Sequence, residues 1–221
     1  MSSPRRVLCL CGSLRRVSSN RAALEAARHL ANLEAPSLQR KPGSSDFDGA
    51  GSETLDSCLR RNDGPSGNRP PAPTSLELQL YVGLGELPLF NPDDERDPLP
   101  ASVLALRVAV GRADALLIAC PEYAHGVPGA FKNLLDWLVG SLEFPGKLVL
   151  LLNVSARGSH HAQDALAEVL RTMSAKLLTP QPMPVTLPGA GCTAEQVLDS
   201  GERRAELEAA LTALAGAWGH P

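Results

Sequence analysis

Residues 113–154 read ADALLIACPEYAHGVPGAFKNLLDWLVGSLEFPGKLVLLLNV. Two short runs within them, LLIAC and LVLLL, are apolar at every position, as strands buried on both faces must be. Between them residues 127–142 carry an apolar spacing that predicts a helix. The same alternation continues outward in both directions. The runs RRVLCLC (5–11) and LELQLYV (76–82) precede this unit and PQPMPVTLP (180–188) follows it, with helical spacing over 18–33, 99–112, 160–176 and 201–217. Strands that alternate with helices predict an α/β fold, a mostly parallel sheet with helices on both faces. Five strands of this kind fit the order 2-1-3-4-5, in which ligands bind at the carboxyl ends of the strands around the switch point between the first and third.

The chain has 221 residues, 43% of them hydrophobic, which is enough to bury a sizeable core and predicts a single domain. A net charge of −3 with only 4% aromatic residues argues against nucleic acid, which calls for a basic face and stacking rings. No apolar run is long enough to span a bilayer, and the N-terminus MSSPRRVLCLCGS lacks the apolar region of an export signal. These features predict a cytoplasmic protein that does not associate with membranes. Five cysteines, an odd number without a C-x-x-C pair, argue against a disulfide framework and fit a reducing compartment. Cys9 and Cys11 alternate within the first strand and are expected to share one buried face, and no metal site is expected.

One stretch departs from the alternation. Residues 36–75 are rich in Gly, Ser, Pro and charge and poor in branched apolar residues, so they are expected to form a disordered insertion. Helix 1 runs back from the carboxyl end of strand 1, which places the insertion at the end of the sheet remote from any ligand.

Two stretches carry the chemistry. GSLRRVSSN (12–20) falls where strand 1 turns into helix 1, and a helix N-terminus offers free N–H groups and partial positive charge to an anion. Gly12 permits the turn, Ser13 and Ser18 supply hydroxyls and Arg15 a charged fork, with Asn20 in the first helical turn. This is a candidate phosphate cradle; the alternative is that Ser18 or Ser19 only caps the helix and the arginines are solvated. The stretch matches neither G-x-x-x-x-G-K-[ST] nor G-x-G-x-x-G, and GLGELPLF (83–90) has Pro88 where a third glycine would stand. The second stretch, CPEYAHGVPGAFKNLLDWL (120–138), follows strand 3. Its prolines and glycines keep the chain irregular and are expected to leave the amides of Glu122 to Gly126 free for the edge of a planar ring, with Tyr123 as an aromatic wall. His125 stands beside that edge, where it could orient a substrate. His160 and His161 are adjacent on a helix and are not expected to face each other.

The pattern G-S-x-R-x-x-S-x-N after strand 1, with P-E-Y-x-x-x-x-P-G-x-x-K-N-x-x-D-W after strand 3, resembles the NADPH-dependent FMN reductase family of flavodoxin-like proteins, which includes quinone, chromate and azo-dye reductases. SARGSHHAQDALAEVLR (155–171) resembles the third loop of the same family. The resemblance implies that Ser13, Arg15, Ser18, Ser19 and Asn20 hold the FMN phosphate. It implies that Pro121, Glu122, Tyr123 and Ala124 contact the isoalloxazine, chiefly through the backbone, and that Ser155 and Gly158 close the pocket. Many members carry Asn at the position of Ala124, and a second glycine at that of Ser159. Lys132, Asn133, Asp136 and Trp137 are expected to fix packing and subunit contacts. The activity implied is transfer of hydride from NADPH or NADH through N5 of FMN to a quinone, a free flavin or another small oxidant, by a homodimer or homotetramer. A flavodoxin-like electron carrier serving a protein partner is the alternative; Arg15 and the modest net charge argue against it.

Overall fold

The computed structural model of the protein describes residues 3–34, 75–96, 98–155, 158–187, 189 and 191–218. All of the expected insertion except Ser75 lies outside the described residues.

The strands β1 (Arg5–Cys11), β2 (Leu76–Leu80), β3 (Ala115–Ala119) and β4 (Leu148–Asn153) pair in parallel, and with β5 (Lys176–Leu177) they give the order β2-β1-β3-β4-β5. This is the flavodoxin-like order expected from the alternation. The register Cys9↔Leu117 and Leu117↔Leu150 places residues of one parity in a common layer on each face. On one face Val7, Cys9, Leu117 and Leu150 pack under α1 (Ser19–Glu34), α5 (Ala194–Leu198) and α6 (Gly201–Gly216). On the other Leu8, Leu10, Leu116, Ile118 and Leu151 pack under α2 (Ala101–Arg112), α3 (Gly129–Val139) and α4 (His160–Thr172). Cys9 therefore shares the α1 face with Cys11, as the alternation requires. The largest fully buried side chains, Trp137, Phe131 and Phe144, all lie in the second layer.

The fifth strand differs from expectation. Residues 180–188 do not form one strand: β5 pairs with the start of β4, and a second fragment, β6 (Met183–Pro184), pairs with its end. Pro180 and Pro182 have no N–H to donate and interrupt the ladder between them. Helix α4 stops at Thr172 rather than at 176, because Ser174 takes a left-handed φ of 66° and Lys176 already donates to Lys147 O at 2.8 Å. Helix α5 was not expected, although Thr193 and Gln196 form a capping box that the sequence displays.

The stretch between β2 and α2 is held against α3. The Asn133 side chain accepts from Phe90 N (2.7 Å) and donates to Pro88 O (2.9 Å), and Trp137 Nε1 donates to the same carbonyl at 2.8 Å. Arg107 joins Glu95 to the Trp137 carbonyl. Asn133 and Trp137 thus act in packing, as expected, while Lys132 and Asp136 pair along the helix surface. Gly83–Glu86 forms a single 3₁₀ turn, so GLGELPLF opens no helix of the dinucleotide-binding kind. At the amino end of the sheet Arg5 N donates to Ser75 O at 2.9 Å, and α1 ends at Glu34. The chain therefore leaves and re-enters the described structure at the end of the sheet opposite the strand carboxyl termini.

Candidate functional site

The cradle begins at Gly12, whose N–H donates to Ala119 O at 2.9 Å. A Cβ at this position would lie 2.6 Å from Cys120 Sγ and 3.1 Å from Cys120 Cα, so only glycine lets the end of β1 pass the end of β3. Ser13 Oγ accepts from Arg15 N at 3.3 Å and closes the next turn. Ser18 precedes α1; its carbonyl accepts from Ala22 N at 2.9 Å, while its hydroxyl lies 3.5 Å from Arg21 N, too long for a strong cap. Pure capping is thus a poor account of Ser18. Helix α1 has no acidic residue in its first turn, so its positive end is left uncompensated at the mouth of a loop that already carries Arg15. Asn20 is 6% exposed and its Oδ1 has no partner among the described residues. A buried amide of this kind is costly unless something pairs with it. Ser19 also joins the first loop to another wall of the site. It donates to Gly189 O (2.9 Å) and accepts from Gly191 N (3.1 Å), tying that segment to α1.

The rim follows β3. Tyr123 N donates to Gly126 O (3.1 Å) and Gly126 N to Tyr123 O (3.0 Å), closing a two-residue turn in which Ala124 and His125 have φ of 49° and 60°. Both central residues of a type I′ hairpin turn require positive φ. The expectation that all amides of Glu122 to Gly126 are free is therefore corrected: those of Tyr123 and Gly126 bond across the turn. The turn also gives position 124 a physical meaning. Asn tolerates the left-handed region better than Ala does, so the residue there acts on the backbone, and Ala124 does not line the cleft described below.

Glu122 joins this rim to the third loop. Ala162 N, in the first turn of α4, donates to Glu122 Oε2 at 3.0 Å, while Ser159, the residue placed to cap that helix, makes no cap bond. Glu122 Oε1 faces His125 Nδ1 at 3.3 Å. The Ala162 N–H above all, aided by the nearby imidazoles of His125, His161 and His160, holds the Glu122 carboxyl below the usual carboxylate range. Gln163 Nε2 adds a bond to Cys120 O at 3.2 Å. His160 and His161 do meet, with ring centroids 4.1 Å apart, contrary to expectation. They open the helix, so no preceding turn separates their side chains.

Together these loops enclose a cleft of about 460 Å³ at the carboxyl ends of β1, β3 and β4, within the range of small-molecule sites. It is lined by Ser13, Arg15, Ser18, Ser19 and Asn20 from the first loop, Pro121, Glu122 and Tyr123 from the second, and Ser155 from the third. Of the residues expected to contact the cofactor, Ala124 and Gly158 are outside this lining, as is His125; Gly158, at φ 88°, shapes the turn before α4. Val154, Ser159, Leu187, Gly189 and Gly191 line the cleft without having been singled out. The last three follow the final strand, where the strand order alone places ligand loops, and the glycines of LPGAGC mark that loop. Burial pushes the thiols of Cys9 and Cys120 up to about 12, so neither is a thiolate nucleophile at neutral pH. Among the described residues no helix is long and apolar enough to cross a membrane.

Comparison with known proteins agrees with this geometry. The family model for NADPH-dependent FMN reductase matches residues 71–185, just over half of the chain. A quinone reductase of Escherichia coli K12 is 35% identical over 104 residues, covering 43% of this chain and 55% of that protein. A quinone reductase of Pseudomonas putida is 38% identical over 106 residues, covering 45% and 55%. The chain thus spans about half the length of the curated relatives it matches. FerB of Paracoccus denitrificans, a flavoenzyme NAD(P)H:(acceptor) oxidoreductase, superimposes over 94% of this chain and 95% of its own with a TM-score of 0.57 at 22% identity, a likeness of fold. With a 2-1-3-4-5 sheet, a hydroxyl-rich loop facing a P-E-Y rim across one cleft, and this match, the chain belongs to the NADPH-dependent FMN reductase family.

Proposed function

We propose that this protein binds FMN in the cleft at the strand carboxyl ends and catalyses NAD(P)H-dependent reduction of a quinone, a free flavin or another small oxidant. The observation that carries the reading is that one cleft gathers both distant motifs, the 13–20 cradle and the 121–123 rim. The residues present fit the cofactor. The uncompensated start of α1 and Arg15 suit a phosphate, and the unpartnered Asn20 Oδ1, an acceptor, suits a hydrogen-bond donor of the ligand.

Ser13, Arg15, Ser18 and Asn20 would hold the phosphate, with Ser19 fixing the neighbouring Gly189–Gly191 wall. Pro121, Glu122 and Tyr123 would border the ring from the turn whose backbone Ala124 shapes, and Ser155 would close the third side, with Gly158 shaping the turn before α4. When bound, FMN supplies the two-electron centre that takes hydride from NAD(P)H and returns it to the oxidant. The protein's part is to bind, orient and leave one ring face open. Tyr123, 47% exposed, supports an open side at which donor and acceptor can alternate. The reading includes a single domain over 1–221, a cytoplasmic location and a homodimer or homotetramer; exposed Val139 and Leu142 at the end of α3 are consistent with a subunit contact.

Anaerobic rapid mixing of the flavin-loaded chain with NAD(P)H tests the activity. Full bleaching of the flavin absorbance, reversed by a quinone, is expected. If NAD(P)H leaves the spectrum unchanged while a one-electron chemical reductant bleaches it, the electron-carrier alternative replaces the reductase.

A further inference from the structure

The turn that carries Tyr123 is strained and is bolted to a helix forty residues away in sequence. Ala124 and His125 both hold positive φ, which side chains other than glycine adopt at a cost. Such a conformation persists only where its surroundings over-determine it. Here the surroundings are specific. His125 Nδ1 stands 3.3 Å from Glu122 Oε1, and its ring meets that of His161 edge to face, with centroids 4.5 Å apart and planes at 88°. Glu122 takes the Ala162 amide of α4 that Ser159 leaves uncapped, and Gln163 of the same helix turn holds Cys120 O. Nothing in the cradle or in the lining of the cleft requires a histidine at 125.

We propose that His125 is a positioning residue: together with His161, and through Glu122, it clamps the Tyr123–Gly126 turn onto the first turn of α4 and so fixes Tyr123 at the wall of the cofactor cleft. The inference rests on the reading that this cleft takes FMN. The charged groups that face His125 are Glu122 from its own loop, His161 and His160 from α4, and the positive start of that helix. One proton on the histidines strengthens the attraction to Glu122, whereas a second sets like charges edge to edge. The strength of the clamp therefore depends on the charge state of the histidines.

The test uses the full chain and four variants: Ala124→Gly, His125→Gly, His161→Ala and the His125→Gly/His161→Ala double variant. Thermal melting without cofactor and FMN affinity, read by flavin fluorescence, are measured at pH 6 and pH 8. Ala124→Gly and His125→Gly relieve the same kind of backbone strain, but only the second removes the clamp. His125→Gly is expected to melt about 2–4 °C below Ala124→Gly. It should weaken FMN binding about threefold, with a loss that differs between pH 6 and pH 8. His161→Ala should show the same loss, and the double variant little more than either alone. Equal rises in melting temperature for the two glycine variants, or losses that add fully in the double variant, would overturn the clamp. If the unaltered chain binds no FMN, the reading of the cleft fails, while the melting comparison still decides the clamp.

Discussion

Replacing Gly12 by alanine tests the point where cradle and rim touch. A Cβ there would stand 2.6 Å from Cys120 Sγ and 3.1 Å from both Cys120 Cα and Cβ. Cys120 is 2% exposed and packs in the layer under α2, α3 and α4, so its sulfur has no open space to move into, and its Cα belongs to the backbone and cannot swing aside. Relief requires the ends of β1 and β3 to separate, which breaks or lengthens the 2.9 Å bond from Gly12 N to Ala119 O. Overpacking of this kind costs about 1–3 kcal/mol, and a backbone clash belongs in the upper part of that range. For a chain of this size about 2–3 kcal/mol lowers the melting temperature by about 4–12 °C. Because the first and second loops both spring from the displaced strand ends, FMN affinity should fall at least about tenfold with it. Adding Cys120→Ala removes the nearest clash but leaves the two at 3.1 Å, so the double variant should recover only part of the loss, a coupling that a melting series and a flavin titration both measure. If Gly12→Ala alone melts and binds flavin like the unaltered protein, the close passage of the two strands is wrong and the site built on it fails.

Arg15→Ala should weaken FMN binding by about 1.5–3 kcal/mol, the range for a hydrogen bond to a charged group, and leave riboflavin binding unchanged, as paired titrations will show. Deleting residues 38–73 and joining the ends with a short linker should keep FMN affinity within a few-fold, because both flanks lie at the amino end of the sheet; a shortened chain that folds but loses flavin would refute that placement. Glu122, whose carboxyl is held below its ordinary value chiefly by the Ala162 amide, contributes stability that is fully present above the ordinary glutamate range and is lost as pH falls through its lower folded value. Glu122→Gln should accordingly flatten the fall in melting temperature at acid pH relative to the unaltered chain.

Most of the sheet was legible because buried parallel strands have no polar face to hide: β3 and β4 announce themselves as LLIAC and LVLLL. The fifth strand was not, since an apolar run interrupted by Pro180, Pro182 and Pro184 can pair only in fragments. The cradle and rim were legible as residue types in loops at the switch point, and the structure brings both to one cleft. What escaped depends on long-range pairing. No local pattern shows that Glu122 caps α4 in place of Ser159, or that Ser19 serves Gly189 and Gly191. The fate of the rim amides was hidden for another reason: Ala-His is an unusual pair for a turn that demands two positive φ angles, a role more often signalled by Asn-Gly. His160 and His161 show the limit of helical spacing rules, which describe helix interiors and lose force in the first turn.

The central claim is that the loop between β1 and α1 is built for the phosphate of FMN, and parallel titration of the cofactor-free full chain with FMN and with riboflavin tests it most directly. Two or more charge-assisted hydrogen bonds, at about 1.5–3 kcal/mol each, should make FMN at least about 100-fold the tighter ligand. Equal affinity for the two flavins would contradict it.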